Sequence, residues 1–343
     1  MEFNMKKGLL AVAVAGALTM GAAQAETSVY GSLRYDYNNF KPITVTEDAN
    51  GDAVFTKGDR VSDLQDQGSR LGIKGSEDLG NGLALVFKAE FGFDGMQQGK
   101  NGTKGFNNRL AMIGLAGDFG TFAVGRLDNP FKQTIVDGSV IDDFNSTWSR
   151  SSANAAFNQG FLGGEAVLDA ALEGKSVNGN LDRVGKAVAY ISPEFSGFSA
   201  NAALIIDGET EGFQKQKHVD IWTLNAQYQH ELGFYGKAGY IQGKLGNDPD
   251  ADVEKSKAWG AQLGYKQDQF GATFSYADAK QGDWKDKGWD LGGYFAFGND
   301  YSSTIRASYG QDKPKVNGEG KKTKRWALGF QQDLSERTRV WVE

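Results

Sequence analysis

From Trp259 to Phe330, apolar and polar side chains alternate residue by residue through a string of short segments. Successive side chains of a strand point to opposite faces, so a two-residue period gives each segment one greasy and one wet side. In Trp259–Lys266 the odd positions are apolar and the even ones small or polar. Phe270–Tyr276 repeats the pattern; Trp289, Leu291, Phe295 and Phe297 stand opposite Gly288, Asp290 and Gly292, and Tyr301, Ile305, Ala307 and Tyr309 opposite Ser302, Thr304, Arg306 and Ser308. Such a series reads as the wall of a β-barrel. Rings at segment ends, including Trp259, Tyr265, Phe270, Tyr276, Trp326 and Phe330, suit the two aromatic girdles of a barrel that crosses an outer membrane.

The start of the chain fits export. Lys6-Lys7 precede an apolar run from Gly8 to Gly21, and Ala23-Gln24-Ala25 offers small residues for cleavage, so residues 1–25 read as a signal peptide and 26–343 as the barrel domain. Elsewhere no stretch approaches the roughly 18 to 20 apolar residues of a helical span. The mean hydropathy of −0.47 is compatible with a membrane barrel because only half of each strand meets lipid. With no cysteine, neither disulfides nor zinc thiolates hold the fold, so stability must come from closure of the sheet, which leaves no backbone group unpaired in hydrocarbon. The net charge of −6 becomes −7 once the leader's Glu2, Lys6 and Lys7 are removed. That mild acidity argues against nucleic acid as a partner.

Alternation and turn residues place strands near 28–38, 69–78, 83–94, 107–117, 119–127, 183–192, 197–207, 218–231, 234–244, 256–267, 269–279, 286–297, 300–311, 322–333 and 336–343. Short connections such as Gly117-Asp118 and Leu232-Gly233 alternate with long ones beginning near Asn39, Asp94, Asp128, Gly208, Lys244, Lys280 and Asp312, the pattern of periplasmic turns and outer loops. The count is fifteen, whereas single-chain bacterial barrels have an even number of strands. The expectation is therefore that a full-length version continues past Glu343 and completes a sixteenth strand. The connection over 128–182 far exceeds the usual roughly 4 to 6 residues. It is rich in Ser, Asn, Ala and Gly and carries Asp137, Asp142, Asp143 and Glu165. Folded into the lumen, it would narrow it.

Ser69-Arg-Leu-Gly-Ile-Lys-Gly-Ser-Glu-Asp-Leu-Gly-Asn-Gly-Leu83, Asn108-Arg-Leu-Ala-Met-Ile-Gly-Leu115, Gly120-Thr-Phe-Ala-Val-Gly-Arg126 and Arg183-Val-Gly through Tyr190-Ile-Ser-Pro193 resemble the general diffusion porins of Gram-negative outer membranes. The resemblance implies an all-β, sixteen-stranded antiparallel barrel, a homotrimer in outer-membrane lipid and lipopolysaccharide, and passage of small hydrophilic solutes and ions. It also implies a third loop folded inward, with wall arginines at Arg70, Arg109 and Arg183 opposing loop acids. Asp142 and Asp143 are the candidate acids, and no cofactor is implied. This loop lacks the glycine-rich acidic motif of enteric members.

Parity supports part of that assignment. Arg70 shares a face with Gly72 and Lys74 opposite Leu71 and Ile73, and Arg109 lies opposite Leu110 and Met112. Guanidinium groups stay charged at any relevant pH, so such a ladder is a permanent positive wall. Lys186 falls on the side of Val184, Val188 and Tyr190, where a charge near the midplane costs about 2 to 4 kcal/mol; either a bulge shifts the register or Lys186 snorkels. Arg126, following Phe122 and Val124, suits a subunit contact. The two histidines, His218 and His230, lie some 40 Å apart along one strand at about 3.4 Å per residue, too far to serve one hydrolytic site. Asp248-Pro-Asp-Ala-Asp252 lacks the glycine and terminal glutamate of a calcium loop. Two other readings are a substrate-selective channel, which would show a lumen ladder of aromatic rings, and a barrel enzyme or adhesin, which would show a convergent nucleophile set or large folded outer loops.

Overall fold

The computed structural model describes residues 26–47, 53–96, 105–146, 151–162, 181–206, 221–244, 254–315, 318 and 320–343. The chain runs from β1 (Glu26–Ser32) through β2 (Tyr35–Phe40), turns along β3 (Ile43–Glu47) and β4 (Ala53–Lys57), and returns through β5 (Val61–Asp66) and β6 (Arg70–Gly80). Next come β7 (Leu83–Gly92), β8 (Asn107–Gly117) and β9 (Gly120–Asp128), then two helices, α1 (Pro130–Ile135) and α2 (Ser152–Leu162). The wall resumes with β10 (Arg183–Ile191), β11 (Phe198–Ile205), β12 (Ile221–Gln229), β13 (Phe234–Lys244) and β14 (Lys255–Lys266). It ends with β15 (Phe270–Gln281), β16 (Trp284–Phe297), β17 (Ser303–Asp312), β18 (Thr323–Asp333) and β19 (Arg339–Val342).

β1 and β6 to β19 form one antiparallel sheet of fifteen strands, each paired with its neighbour in sequence apart from the β1–β6 step, which encloses the β2–β5 and β3–β4 hairpins. β1 and β19 are its edges. Arg34, just past β1, lies within electrostatic range of Arg339 in β19. The first wall strand breaks at Leu33-Arg34, where pairing passes from β1–β6 to β2–β5. The long connection expected at Lys280 is instead a tight hairpin: β15 pairs with β16 up to Gln281 opposite Trp284, and Gly282 takes φ +56°. The outward positions of the strand ends there are polar, with Asp278 ion-paired to Lys287 across the ladder. Where a strand has no lipid to face, the alternation that betrays it is lost.

The two faces of the sheet are inverted relative to a soluble protein. Leu71, Ile73, Ile113, Leu115, Val124, Leu204, Leu263 and Leu291 are exposed on the outer face, Leu263 at 62%. Gln262, Thr273, Ser275, Asp290 and Arg306, next to the exposed Leu263, Phe274, Leu291 and Ile305, are buried on the other side. Inward burial has a second cause besides polarity: α1 and α2 lie against the inner face of β11 to β17. Phe131, Ile135, Phe157 and Phe161 there pack with Ile205, Ile221, Ile241 and Ala279 into a hydrophobic cluster inside the wall.

Candidate functional site

The connection after β9 is the element that shapes the lumen. Read from the sequence as one long loop, it holds two helices, because their termini are capped by the wall as well as locally. Asn129 caps α1 by accepting the Phe131 N–H at 2.9 Å, with Pro130 in the first turn, where its missing N–H costs nothing. α2 has no acidic residue in its own first turn. Asp290 of β16 supplies the charge instead, accepting from Ser151 Oγ (2.5 Å) and the backbone N–H groups of Ser152 (2.8 Å) and Ala153 (2.9 Å). An anion at this end meets both the unpaired amides and the positive end of the helix dipole. Small wall residues make room. A Cβ on Gly260 would sit 2.4 Å from Ile135 Cγ2, and one on Gly288 would sit 2.2 Å from the Ser152 carbonyl oxygen. The glycines that read as the wet side of their strands are therefore seats for the loop. Farther along, Glu343 accepts the backbone N–H groups of Asn145 and Ser146, each at 2.8 Å, with Arg306 3.9 Å away.

The segment 136–144, between the helices, carries the candidate acids. Asp143 pairs with Lys266 of β14 at 2.6 Å. Asp142 accepts the Gly138 N–H at 3.2 Å, and burial in the crowded neck pushes its carboxyl above the ordinary range, against the pull of Lys132. Lys132 is hydrogen-bonded to Asp137. Burial alone would push its ammonium down, and the carboxylates of Asp137 and Asp142 more than offset this, holding it above its usual value. Lys237 of β13 donates to the carbonyl oxygens of Gln133 and Asp137. The acids thus sit among three lysines, which sequence reasoning missed although Lys237 and Lys266 lie on wall strands.

Across the lumen, Arg70 sits on the inner face of β6, opposite Gly92 and Ser32, within electrostatic range of Arg34, Arg109 and Arg183. Among the described residues it has no carboxylate partner. Arg109 reaches the same face by another route than parity. Leu110 and Met112, expected outward, face in: Leu110 is buried and Met112 packs on the interior cluster. Arg109 is the extra residue of a bulge, since Glu90 pairs with Leu110 and Phe91 with Asn108. The bulge lays its side chain over Gly92 and brings Nε 2.6 Å from Glu90. Glu90, 4% exposed, also accepts the Tyr30 hydroxyl at 3.1 Å. That carboxylate was legible from its parity with Lys88 but was passed over.

Arg183 begins β10 opposite Asp128, 3.6 Å away. The bulge anticipated from Lys186 lies between Val184 and Ala187; Lys186 takes φ +48° and is exposed, while Val184 turns inward into the cluster. Strand alternation therefore sets Arg183 apart from the inner face of Val184, and its charge is met by Asp128 at the mouth of the loop. Arg126 donates from Nε to the Arg109 carbonyl at 3.2 Å. His230 lies in a turn, its Nδ1 accepting the Leu232 N–H at 3.1 Å. Residues 1–25, His218, Glu165 and Asp248-Pro-Asp-Ala-Asp252 lie outside the described residues.

Comparisons with known proteins identify the family to which such a wall belongs. Residues 10–343 match the model of a family described as Gram-negative porin. The chain belongs to the Gram-negative porins. Among curated relatives, the major outer membrane protein P.IB of Neisseria gonorrhoeae is 31% identical over 238 residues, covering 69% of this chain and 58% of that protein. The P.IA protein of Neisseria meningitidis is 28% identical over 288 residues, covering 80% and 62%. The chain thus spans about three fifths of the length of these relatives. Among solved structures, an anion-selective porin from Comamonas acidovorans has a TM-score of 0.64 at 21% identity, covering 93% of this porin and 87% of the other. Salmonella typhi OmpF has a TM-score of 0.66 at 17% identity, covering 92% and 88%. At such identities the likeness speaks for the fold.

Proposed function

We propose that this porin forms a water-filled channel in the outer membrane through which small hydrophilic solutes and ions diffuse down their gradients, without chemistry. The observation that carries it is the inverted sheet: apolar side chains outside, charged and polar ones inside, where no hydrophobic core of a soluble fold would put them. Lipid on one face and water on the other satisfy both. The reading includes a homotrimer in contact with lipid and lipopolysaccharide. Its outer contact suits the apolar recess of β7 to β10 around Ile113, Phe122 and Val188. It also includes removal of residues 1–25, checked by N-terminal sequencing of the membrane-extracted protein.

In the same reading the neck is formed by Arg70 and Arg109, with Lys74 beyond them, against Asp142 and Asp143 on the loop, and Arg183 guards the loop's exit. Lys266 neutralises Asp143 and Glu90 neutralises Arg109, so Arg34, Arg70 and Lys74 dominate the balance of the neck and favour anions despite the acidic whole. Fixed dipoles and charges lining a pore decide its selectivity, whereas the net charge of the chain does not. The test is planar-bilayer conductance of the full-length protein with its reversal potential in a potassium chloride gradient. Ohmic conductance with chloride preferred is expected. No conductance overturns the channel, and cation preference overturns the assignment of the neck.

A further inference from the structure

Two lysines face each other in the lumen with no carboxylate between them. Lys74 of β6 and Lys88 of β7 are directly opposed in the ladder, with Ser28 of β1 on the other side of Lys74 and Met112 of β8 on the other side of Lys88. They share the inner face with Arg70, Gly72 and Glu90, opposite exposed Leu71 and Ile73. Like charges directly opposed across a ladder destabilise it. The nearest carboxylate on that face, Glu90, is committed to Arg109 and to the Tyr30 hydroxyl, and Asp128, within electrostatic range of Lys88, is ion-paired with Arg183.

Tyr30 instead gathers the two ammonium groups. Its ring lies across Gly72, where a Cβ would meet Tyr30 Cζ at 2.4 Å, and its hydroxyl is fixed on Glu90. Lys74 Nζ then stands 5.9 Å and Lys88 Nζ 5.7 Å from the ring centroid, both within cation–π range. A side chain pinned at both ends, over a glycine that admits it, holds two cations at one place on a water-filled wall. Lys74 is four residues closer than Arg70 to the short β6–β7 turn, about 14 Å along the strand. This is a second cationic level, beyond the arginines of the neck.

We propose that Lys74, Lys88 and the Tyr30 ring form a binding station for a compact divalent oxyanion of the phosphate or sulfate type. The proposal rests on the channel reading above and deepens it. A dianion supplies both charges the lysine pair lacks, and several acceptor oxygens match ammonium groups that have three donors each. Monovalent anions satisfy one lysine and leave the other repelled, so the station discriminates by charge, whereas Arg70 attracts any anion.

The test is the chloride conductance of the full-length channel as inorganic phosphate is added at fixed ionic strength, repeated with sulfate. The expected result is a saturable fall in chloride current, because a dwelling dianion obstructs the passage. Lys74→Gln or Lys88→Gln raises the half-effect concentration at least tenfold, the double variant abolishes saturation, and Lys88→Arg, which keeps the cation, preserves it. A non-saturating response in the natural protein, or one unchanged in the double variant, overturns the station while leaving the channel intact; absence of any chloride conductance overturns both. Line broadening of the phosphorus resonance of free phosphate by natural protein folded in phosphate-free detergent separates the free ion from a lipid headgroup as occupant and needs no variant. No broadening there overturns the station.

Discussion

Replacing Asp290 by alanine removes the charge that holds the first turn of α2 to the wall. The carboxylate is 4% exposed and accepts three hydrogen bonds, from Ser151 Oγ, Ser152 N and Ala153 N, at 2.5 to 2.9 Å. Bonds to a charged group contribute about 1.5 to 3 kcal/mol each, but such contributions do not add, and lumen water can reach amides that come loose. A net cost of about 3 kcal/mol follows for the docked loop, about a 150-fold change in the equilibrium between docked and open forms. The cost falls on the loop and not on the wall, because the ladder of β16 with β15 and β17 is made of backbone bonds that the Asp290 side chain does not join. Hydrogen exchange on the micelle-folded protein reads both. Amides of residues 154–162 are expected to exchange about two orders of magnitude faster in Asp290→Ala, and somewhat less so in Asp290→Asn, which keeps one acceptor oxygen. Protection of β14 to β17 should not change. Unchanged exchange in α2, or equal acceleration in the wall strands, would refute the assignment of Asp290 as the anchor of the loop.

A valine at Gly260 would place its Cβ 2.4 Å from Ile135 Cγ2 and 2.9 Å from the Tyr276 carbonyl oxygen of β15; the loop, which is the closer neighbour, should be displaced with only a local adjustment of the wall, seen as higher single-channel conductance at unchanged strand content by circular dichroism. Arginine at Leu263, 62% exposed on the outer face, is expected to cost about 2 to 4 kcal/mol where lipid surrounds it, measured by reversible folding into vesicles, whereas arginine at inward-facing positions open to lumen water should cost far less. The carboxyl of Asp142 is raised by burial against the pull of Lys132, so it takes up its proton at higher pH than a free carboxyl. Acidification from neutral pH should therefore increase anion preference, read as reversal potential, starting above the ordinary carboxylate range; Asp142→Asn should show the increased preference already at neutral pH and lose that part of the titration.

Some of the site could be read only in part. Arg70 was placed by parity, because β6 runs unbroken from Arg70 to Asp78 and Leu71 and Ile73 mark its outer face. The same logic chose the wrong face for Leu110 and Met112 and reached Arg109 through a compensating error, since the bulge opposite Glu90 and Phe91 adds one residue and reverses every side chain beyond it. At Lys186 an unfavourable charge on the apparent outer face gave the bulge away in advance. The helices of the loop were not legible: no amphipathic stripe or local acidic cap announces α2, and the groups that stabilise it are Asp290, Gly288 and the wall's aliphatic residues.

What the sequence by itself determined is the wall, because lipid on one side and water on the other impose a two-residue rhythm that each strand must carry locally, as from Trp259 to Phe330. What only the tertiary structure decided is the interior. Lys266 meets Asp143 across 123 residues and Glu343 meets Asn145 across 198, and partners so distant in the chain leave no periodic mark. Which charges cancel in the lumen, which remain to meet a solute, and which glycines are seats for a loop depend on strand curvature, bulges and the path of one long connection. None of these is a property of any local stretch of sequence.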